Sequence, residues 1–147
     1  MRTYFTPVYR GLCRRSKKSK VVVVSVKGCG VDLVDVARID KALRRQRFRD
    51  KVYTQQEQTE LQDRNVQSWA ARFAAKEAVM KAVGRGWLQG MPFNSIEIYK
   101  NSLGQPQVRL LQPASEVAEN LGITHFVLSL SHTNELAVAY VIALGEE

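Results

Sequence analysis

This sequence predicts an α+β domain, a mostly antiparallel sheet packed against one long alanine-rich helix, and three observations carry that prediction. A β-branched run, VVVVSV at 21–26, opens the patterned part of the chain. A helical pattern dense in alanine fills 68–83. Two pairs of alternating apolar segments, within 95–111 and 126–144, are each joined by a short polar turn, which gives hairpins and therefore antiparallel pairing.

Taken in order, the first twenty residues stand apart. They hold Arg2, Arg10, Arg14, Arg15, Lys17, Lys18 and Lys20 without one acidic residue, and Pro7 and Gly11 interrupt them. They are expected to form a basic, disordered extension, 1–20, in front of a single domain, 21–147. Their composition is that of an organellar transit peptide, yet a mis-set start gives the same pattern, and an extension without structural consequence is the preferred reading. Residues 21–26 then read as a buried strand, with Gly28 and Gly30 expected to loosen the backbone before Asp32. Val36, Ile39 and Leu43, with charges between them, space an amphipathic helix over 36–47 whose exposed face is basic. Thr54 caps a further helix to about Asp63, and Glu57 completes a capping box. Ser68 opens the long helix, with alanines at 70, 71, 74, 75, 78 and 82, and Gly84 stops it. So small a surface lets another element approach closely. Strands follow over 95–99 and 107–111, joined through Leu103-Gly104-Gln105-Pro106; a short helix runs from Pro113 to about Leu121. A second hairpin pairs 126–131 with 136–144 across His132-Thr133-Asn134-Glu135.

The length of 147 residues suits one hydrophobic core, and 45% hydrophobic with 24% charged residues is the balance of a folded globular protein. No apolar run approaches the roughly 20 residues that span a bilayer, so no membrane partner is expected. The net charge of +8 suggests a nucleic-acid binder, but the seven cations of 1–20 account for all but one of those charges. What remains is the cluster Arg44, Arg45, Arg47, Arg49 and Lys51, which serves an acidic protein partner equally well. Cys13 and Cys29 make neither a disulfide framework nor a zinc site, in keeping with a reducing, cytoplasmic setting.

Three stretches carry residues suited to chemistry: GCGVDLVDVARI at 28–39, RFAAKEAVMKAVGRG at 72–86 and LSLSHTNELAVAYVI at 128–142. In the first, a strand delivers Asp32 and Asp35 toward its carboxyl end, where a carboxylate can meet a hard cation; Asp32 equally fits as a helix cap. In the second, Phe73, Glu77 and Lys81 share one helix face at intervals of four. Glu77 suits a metal and Lys81 a phosphate, while the same spacing is that of an ordinary surface ion pair. Gly84-Arg85-Gly86 gives a loop with a cation that admits a phosphate closely, or simply ends the helix. In the third, Ser129 and Ser131 share the strand face opposite Phe126, Leu128 and Leu130, and His132 follows at the strand end, either as a ligand contact or as part of the turn. The G-x-S-x-G elbow of a hydrolase is missing.

Together, in this order, the three stretches resemble the holo-acyl-carrier-protein synthase family, the small 4′-phosphopantetheinyl transferases. The likeness covers about residues 22–144 and takes in the strand at 93–98 and the Gly104-Gln105-Pro106 turn. It implies the 4′-phosphopantetheinyl transferase fold and transfer of phosphopantetheine from coenzyme A to a serine of apo acyl carrier protein, with Mg²⁺ as cofactor and 3′,5′-ADP released. By position, Asp32 and Glu77 match the metal carboxylates and Lys81 the lysine facing the phosphates. Gly84, Arg85, Gly86, Ser131 and His132 fall in coenzyme-binding stretches, and Arg38, Arg45 and Phe73 fall where the carrier is gripped. The proton of the attacking serine is expected to go to Glu77, Asp32 or a metal-bound water. The resemblance also implies a homotrimer with active sites shared between subunits, and a place in fatty-acid biosynthesis. Two departures stand out: Cys29 for an aliphatic residue and Arg85 for a small hydroxyl residue. A catalytically silent carrier binder and a basic nucleic-acid-binding protein are the alternatives.

Overall fold

A computed structural model describes residues 23–146. The basic extension, Cys13 and the first two residues of the expected opening strand lie outside the described residues.

The opening strand runs further than its sequence suggests. Strand β1 spans Val24–Asp35 and pairs antiparallel with the last strand, β5 (Leu136–Glu146), from Val24 opposite Glu146 to Asp35 opposite Leu136. Gly28 and Gly30 therefore do not loosen the backbone before Asp32; they sit within the ladder, after a register shift between Val26 and Gly28. Their lack of a side chain serves packing instead. A Cβ on Gly28 would lie 2.0 Å from the Ala82 carbonyl oxygen, and one on Gly30 would lie 2.0 Å from that of Ala78. The helix responsible is α4, Val66–Val83, which rests its alanines directly on this strand and on the buried Ala137, Ala139 and Ala143 of β5.

Asp35 ends β1 and caps α1 (Val36–Leu43) by accepting a bond from the Arg38 amide at 2.9 Å, so the capping role that Asp32 also fitted belongs to its neighbour. The expected helix over 36–47 breaks at Arg44. Arg45 is extended, and a second helix, α2 (Gln46–Val52), turns its Phe48 and Val52 inward. Helix α3 (Gln55–Leu61) starts with the predicted capping box: the Thr54 side chain accepts from the Glu57 amide, and Glu57 accepts from the Thr54 amide. Helix α4 begins two residues before Ser68, because Asn65 is the cap and accepts from the Ser68 amide. It ends at Gly84 in the left-handed region, φ 71°.

Strands β2 (Ile96–Lys100) and β3 (Pro106–Leu110) form a two-stranded sheet, α5 (Ala114–Asn120) follows, and β4 (His125–His132) pairs with β5. The main sheet has the order β1-β5-β4, antiparallel throughout, as the sequence predicts.

Residues opposite one another in such a sheet share a face. Val34, Ala137 and His132 stand on the helix side, as do Asp32, Ala139 and Leu130, and Gly30, Val141 and Leu128. The other side carries Val31, Leu33, Val138 and Tyr140, and the described residues leave it uncovered: Leu33 is 61%, Val31 54% and Tyr140 47% exposed.

Candidate active site

Because Asp32 lies on the helix side of β1, its carboxylate meets the C-terminal half of α4. The Lys81 ammonium donates to Asp32 Oδ1 at 2.8 Å and to the Val31 carbonyl at 2.9 Å. The ion pair that Lys81 makes is thus with the strand rather than with Glu77, and the helix-surface pair that its spacing also allowed gives way. Glu77 stands one turn earlier on the same helix face. Burial raises its carboxyl above the ordinary range, the Asp32 carboxylate raises it further, and Lys81 and Arg38 pull the other way. The Asp32 charge thus reaches Glu77 across the strand–helix contact.

Among the described residues no group of three or more His, Cys, Asp and Glu comes together. The pair Asp32 and Glu77 offers oxygen alone, which suits a hard divalent cation that completes its shell with water and phosphate and does not suit zinc. A carboxylate raised by a neighbouring negative charge, as Glu77 is, is relieved by a cation placed between the two. Gly84, Arg85 and Gly86 leave α4 beside this cluster, with Arg85 exposed and its amide bonded to the Met80 carbonyl at 3.1 Å.

Ser131 and His132 lie elsewhere. With Leu130 they line a cavity of about 660 Å³ between the start of α4 and the β2–β3 hairpin, and Asp32, Glu77 and Lys81 are not among its walls. Leu130 and Asp32 are two strands apart across the sheet, roughly 10 Å. Three cations that the sequence reading did not single out, Arg64, Arg72 and Lys100, share that cavity with Ser68. Arg72 is buried and bonds Glu60 through Nη2 at 2.6 Å, while its Nη1 has no partner among the described residues. Burial raises the Glu60 carboxyl, but bonds from Arg72 and Gln56 outweigh this and hold it below the ordinary range. The sequence signal was a charged residue on an alanine-rich helix, directly before Phe73 in the second stretch.

A third feature is a groove of about 530 Å³, with Arg45, Arg47 and Lys51 around Phe48, Trp87 and Phe93. Phe73 stacks against Phe93 at 5.2 Å and Phe48 at 6.1 Å, so it supports this groove from behind. Of the three residues expected to meet a carrier, Arg45 lines the groove and Phe73 underlies it. Arg38 instead lies close enough to Glu77 to influence its charge.

Residues 28–141 match the family model described as the 4′-phosphopantetheinyl transferase superfamily. The holo-[acyl-carrier-protein] synthase of Ruminiclostridium cellulolyticum is 46% identical over 123 residues, which covers 80% of this chain and 92% of that protein. Among solved structures, the Plasmodium yoelii acyl carrier protein synthase with ADP bound superimposes with a TM-score of 0.77 at 32% identity, covering 85% of this chain and 99% of that one. The Helicobacter pylori holo-[acyl-carrier-protein] synthase in complex with coenzyme A gives 0.71 at 30% identity, covering 78% and 98%. With the carboxylate pair, the alanine-rich helix and most of the antiparallel sheet falling inside the matched span, this chain belongs to the 4′-phosphopantetheinyl transferase superfamily.

Proposed function

We infer that this chain transfers the 4′-phosphopantetheine arm of coenzyme A to a serine of an apo acyl carrier protein. The serine oxygen attacks the β-phosphate, the bond to the ADP side breaks, and 3′,5′-ADP leaves. The observation that carries this reading is the ion pair of Lys81 with Asp32 where β1 packs on α4, with Glu77 one turn earlier on the same helix face as Lys81.

Such a transfer depends on positioning and on neutralising charge at phosphate oxygens. Asp32 and Glu77 are the residues to hold Mg²⁺, which when bound supplies Lewis-acid charge to the pyrophosphate. Lys81, tethered to Asp32 and half exposed, is placed to meet negative charge on the leaving phosphate, and Gly84 to Gly86 let the coenzyme backbone come near. The cavity of Arg64, Arg72, Lys100, Ser131 and His132 suits the remaining phosphate of the coenzyme, and the unpartnered Arg72 Nη1 is a donor ready for it.

The groove rimmed by Arg45, Arg47 and Lys51 fits an acidic carrier, whose apolar side chains would rest on Phe48, Trp87 and Phe93 over Phe73. The bare face of Val31, Leu33 and Tyr140 is apolar and continuous across β1 and β5, which supports a homotrimer formed by copies of this chain. In that assembly the cationic cavity of one subunit would complete the carboxylate cluster of its neighbour. The reading places the enzyme in the cytoplasm, serving fatty-acid synthesis.

Incubation of an apo carrier protein with coenzyme A and magnesium, followed by intact mass, tests the proposal. A phosphopantetheine adduct on the carrier that disappears with chelator supports it. A carrier left unmodified whatever divalent ion is supplied would overturn it.

A further inference from the structure

Lys76 is the residue before Glu77, yet it is wholly buried, and so is its partner Glu57. Its ammonium has three protons and three acceptors: Glu57 Oε2 at 2.5 Å, the Val52 carbonyl at 2.6 Å and the Phe93 carbonyl at 3.0 Å. Glu57 in turn accepts from the amides of Thr54 at 2.8 Å and Ile98 at 3.0 Å. Four segments therefore meet at one side chain of α4: the end of α2, the start of α3, the turn at Phe93 and strand β2.

Stability alone does not explain such a site. Removing two charges from water is costly, and well-packed apolar residues of similar volume commonly do as well or better. What the ionic arrangement adds is geometry. An ammonium with every proton committed fixes the rotation of the helix that bears it, and Glu77, about 100° further round the same turn, is aimed by that rotation. Val52 and Phe93, the residues whose carbonyls Lys76 holds, also line the basic groove.

We propose that Lys76 is a positioning residue for the transfer reaction, which aims Glu77 and ties both walls of the groove to the same point, so that carrier docking and carboxylate placement are coupled. This rests on the groove being the carrier surface.

Two variants test it, Lys76→Met and Lys76→Met/Glu57→Gln. The single variant leaves Glu57 buried without its partner and is exposed to misfolding; the double variant removes both charges and keeps an acceptor for the Ile98 amide. Rates are read by intact mass with carrier and coenzyme A varied separately, well below the melting temperature. The folded double variant should show kcat lowered by about 10²-fold and carrier KM raised about tenfold, with coenzyme A KM within about twofold of wild type. A purely structural residue would lower the melting temperature and leave those constants alone, and that result overturns the proposal. Arg45→Glu separates the two readings. If it leaves carrier KM unchanged, the groove assignment fails and the coupling with it. If it raises carrier KM while the double variant does not, the groove stands and the coupling is overturned.

Discussion

Gly30→Ala is the substitution that asks most directly whether the close contact of β1 and α4 builds the active site. The added Cβ would lie 2.0 Å from the Ala78 carbonyl oxygen and 2.7 Å from the Ala82 amide nitrogen, both backbone atoms that no rotamer change can withdraw. Since 3.0 Å is the closest such approach that proteins tolerate, strand and helix must part by about 1 Å. Overpacking of this kind costs typically 1–3 kcal/mol, and a clash with helix backbone belongs at the upper end. Against it stands the loss of unfolded-state freedom on replacing glycine, worth roughly 0.4–1 kcal/mol, so destabilisation wins by about 2 kcal/mol. That corresponds to a fall in melting temperature of roughly 6–7 °C for a domain of this size. Catalysis should suffer separately, because the same contact sets Lys81 against Asp32 at 2.8 Å, and a displacement near 1 Å commonly costs about 10²-fold in rate. Thermal melting and carrier modification by intact mass measure the two effects. Gly122→Ala is the comparison: Gly122 has φ 68° but nothing within 4 Å of its would-be Cβ, so it should lose only the roughly 1–2 kcal/mol of left-handed strain and keep its turnover. Wild-type melting and turnover in Gly30→Ala would refute the reasoning.

Asp32→Asn and Glu77→Gln should each cost at least about 10²-fold in turnover while circular dichroism stays at wild type, and near-normal rates in either would remove the carboxylate pair from the chemistry. Arg38→Glu should raise carrier KM and flatten its dependence on salt; an unaltered salt dependence would place the acidic partner elsewhere. Leu33→Asp, on the bare sheet face, should yield monomers by sedimentation together with lost turnover, whereas a wild type that sediments as a monomer would contradict the assembly proposed. Glu77 also predicts a pH effect. Its folded-state proton affinity is raised, first by burial and then by Asp32, so the folded protein binds that proton more tightly than the unfolded chain does. Its contribution to stability is greatest at acid pH, falls as pH climbs from the ordinary carboxylate range through the raised value, and levels off beyond it. Urea-derived stability curves of wild type and Glu77→Gln should therefore diverge over that window, and parallel curves would count against the shift.

Local signals made part of this structure readable in advance. Thr54 with Glu57, and Gly84 after an alanine-rich run, are short-range patterns whose energetics are complete within one turn of chain, and both helices end or begin where those residues say. Gly28 and Gly30 were harder. Glycine is disfavoured in a strand, and the reason it is kept lies in α4, some fifty residues away, whose backbone leaves no room for a side chain. The break at Arg44 and Arg45 was hidden by a charge pattern that continues past it, and only the inward turn of Phe48 and Val52 explains it. Asp32, Glu77 and Lys81 were legible as members of motifs, and each by itself fitted an ordinary structural role equally well. Arg72 and Lys76 escaped because charge on a helix reads as exposure, while here both are buried.

The five positions of α4 to which a role is proposed fall into two stripes, and this division is what the alanines make possible. At about 100° per residue, Arg72 and Lys76 lie within about 40° of each other, while Phe73, Glu77 and Lys81 spread over about 80° on the adjoining side. The first stripe faces Glu60 and Glu57, each carboxylate binding one of its cations, and so locks the helix to α3. The second reaches the aromatic stack and then Asp32. A helix with large apolar residues at 74, 78 and 82 would have to stand off from β1 by the width of those side chains, and Lys81 would no longer span to the Val31 carbonyl and the Asp32 carboxylate together. The small residues therefore set the Asp32–Lys81 geometry of the proposed site as much as they fill the core. Enlarging Ala78 or Ala82 should accordingly injure turnover in the same way as adding a methyl group to Gly30, through the distance from Asp32 to Lys81 and without any change in the chemistry of either residue.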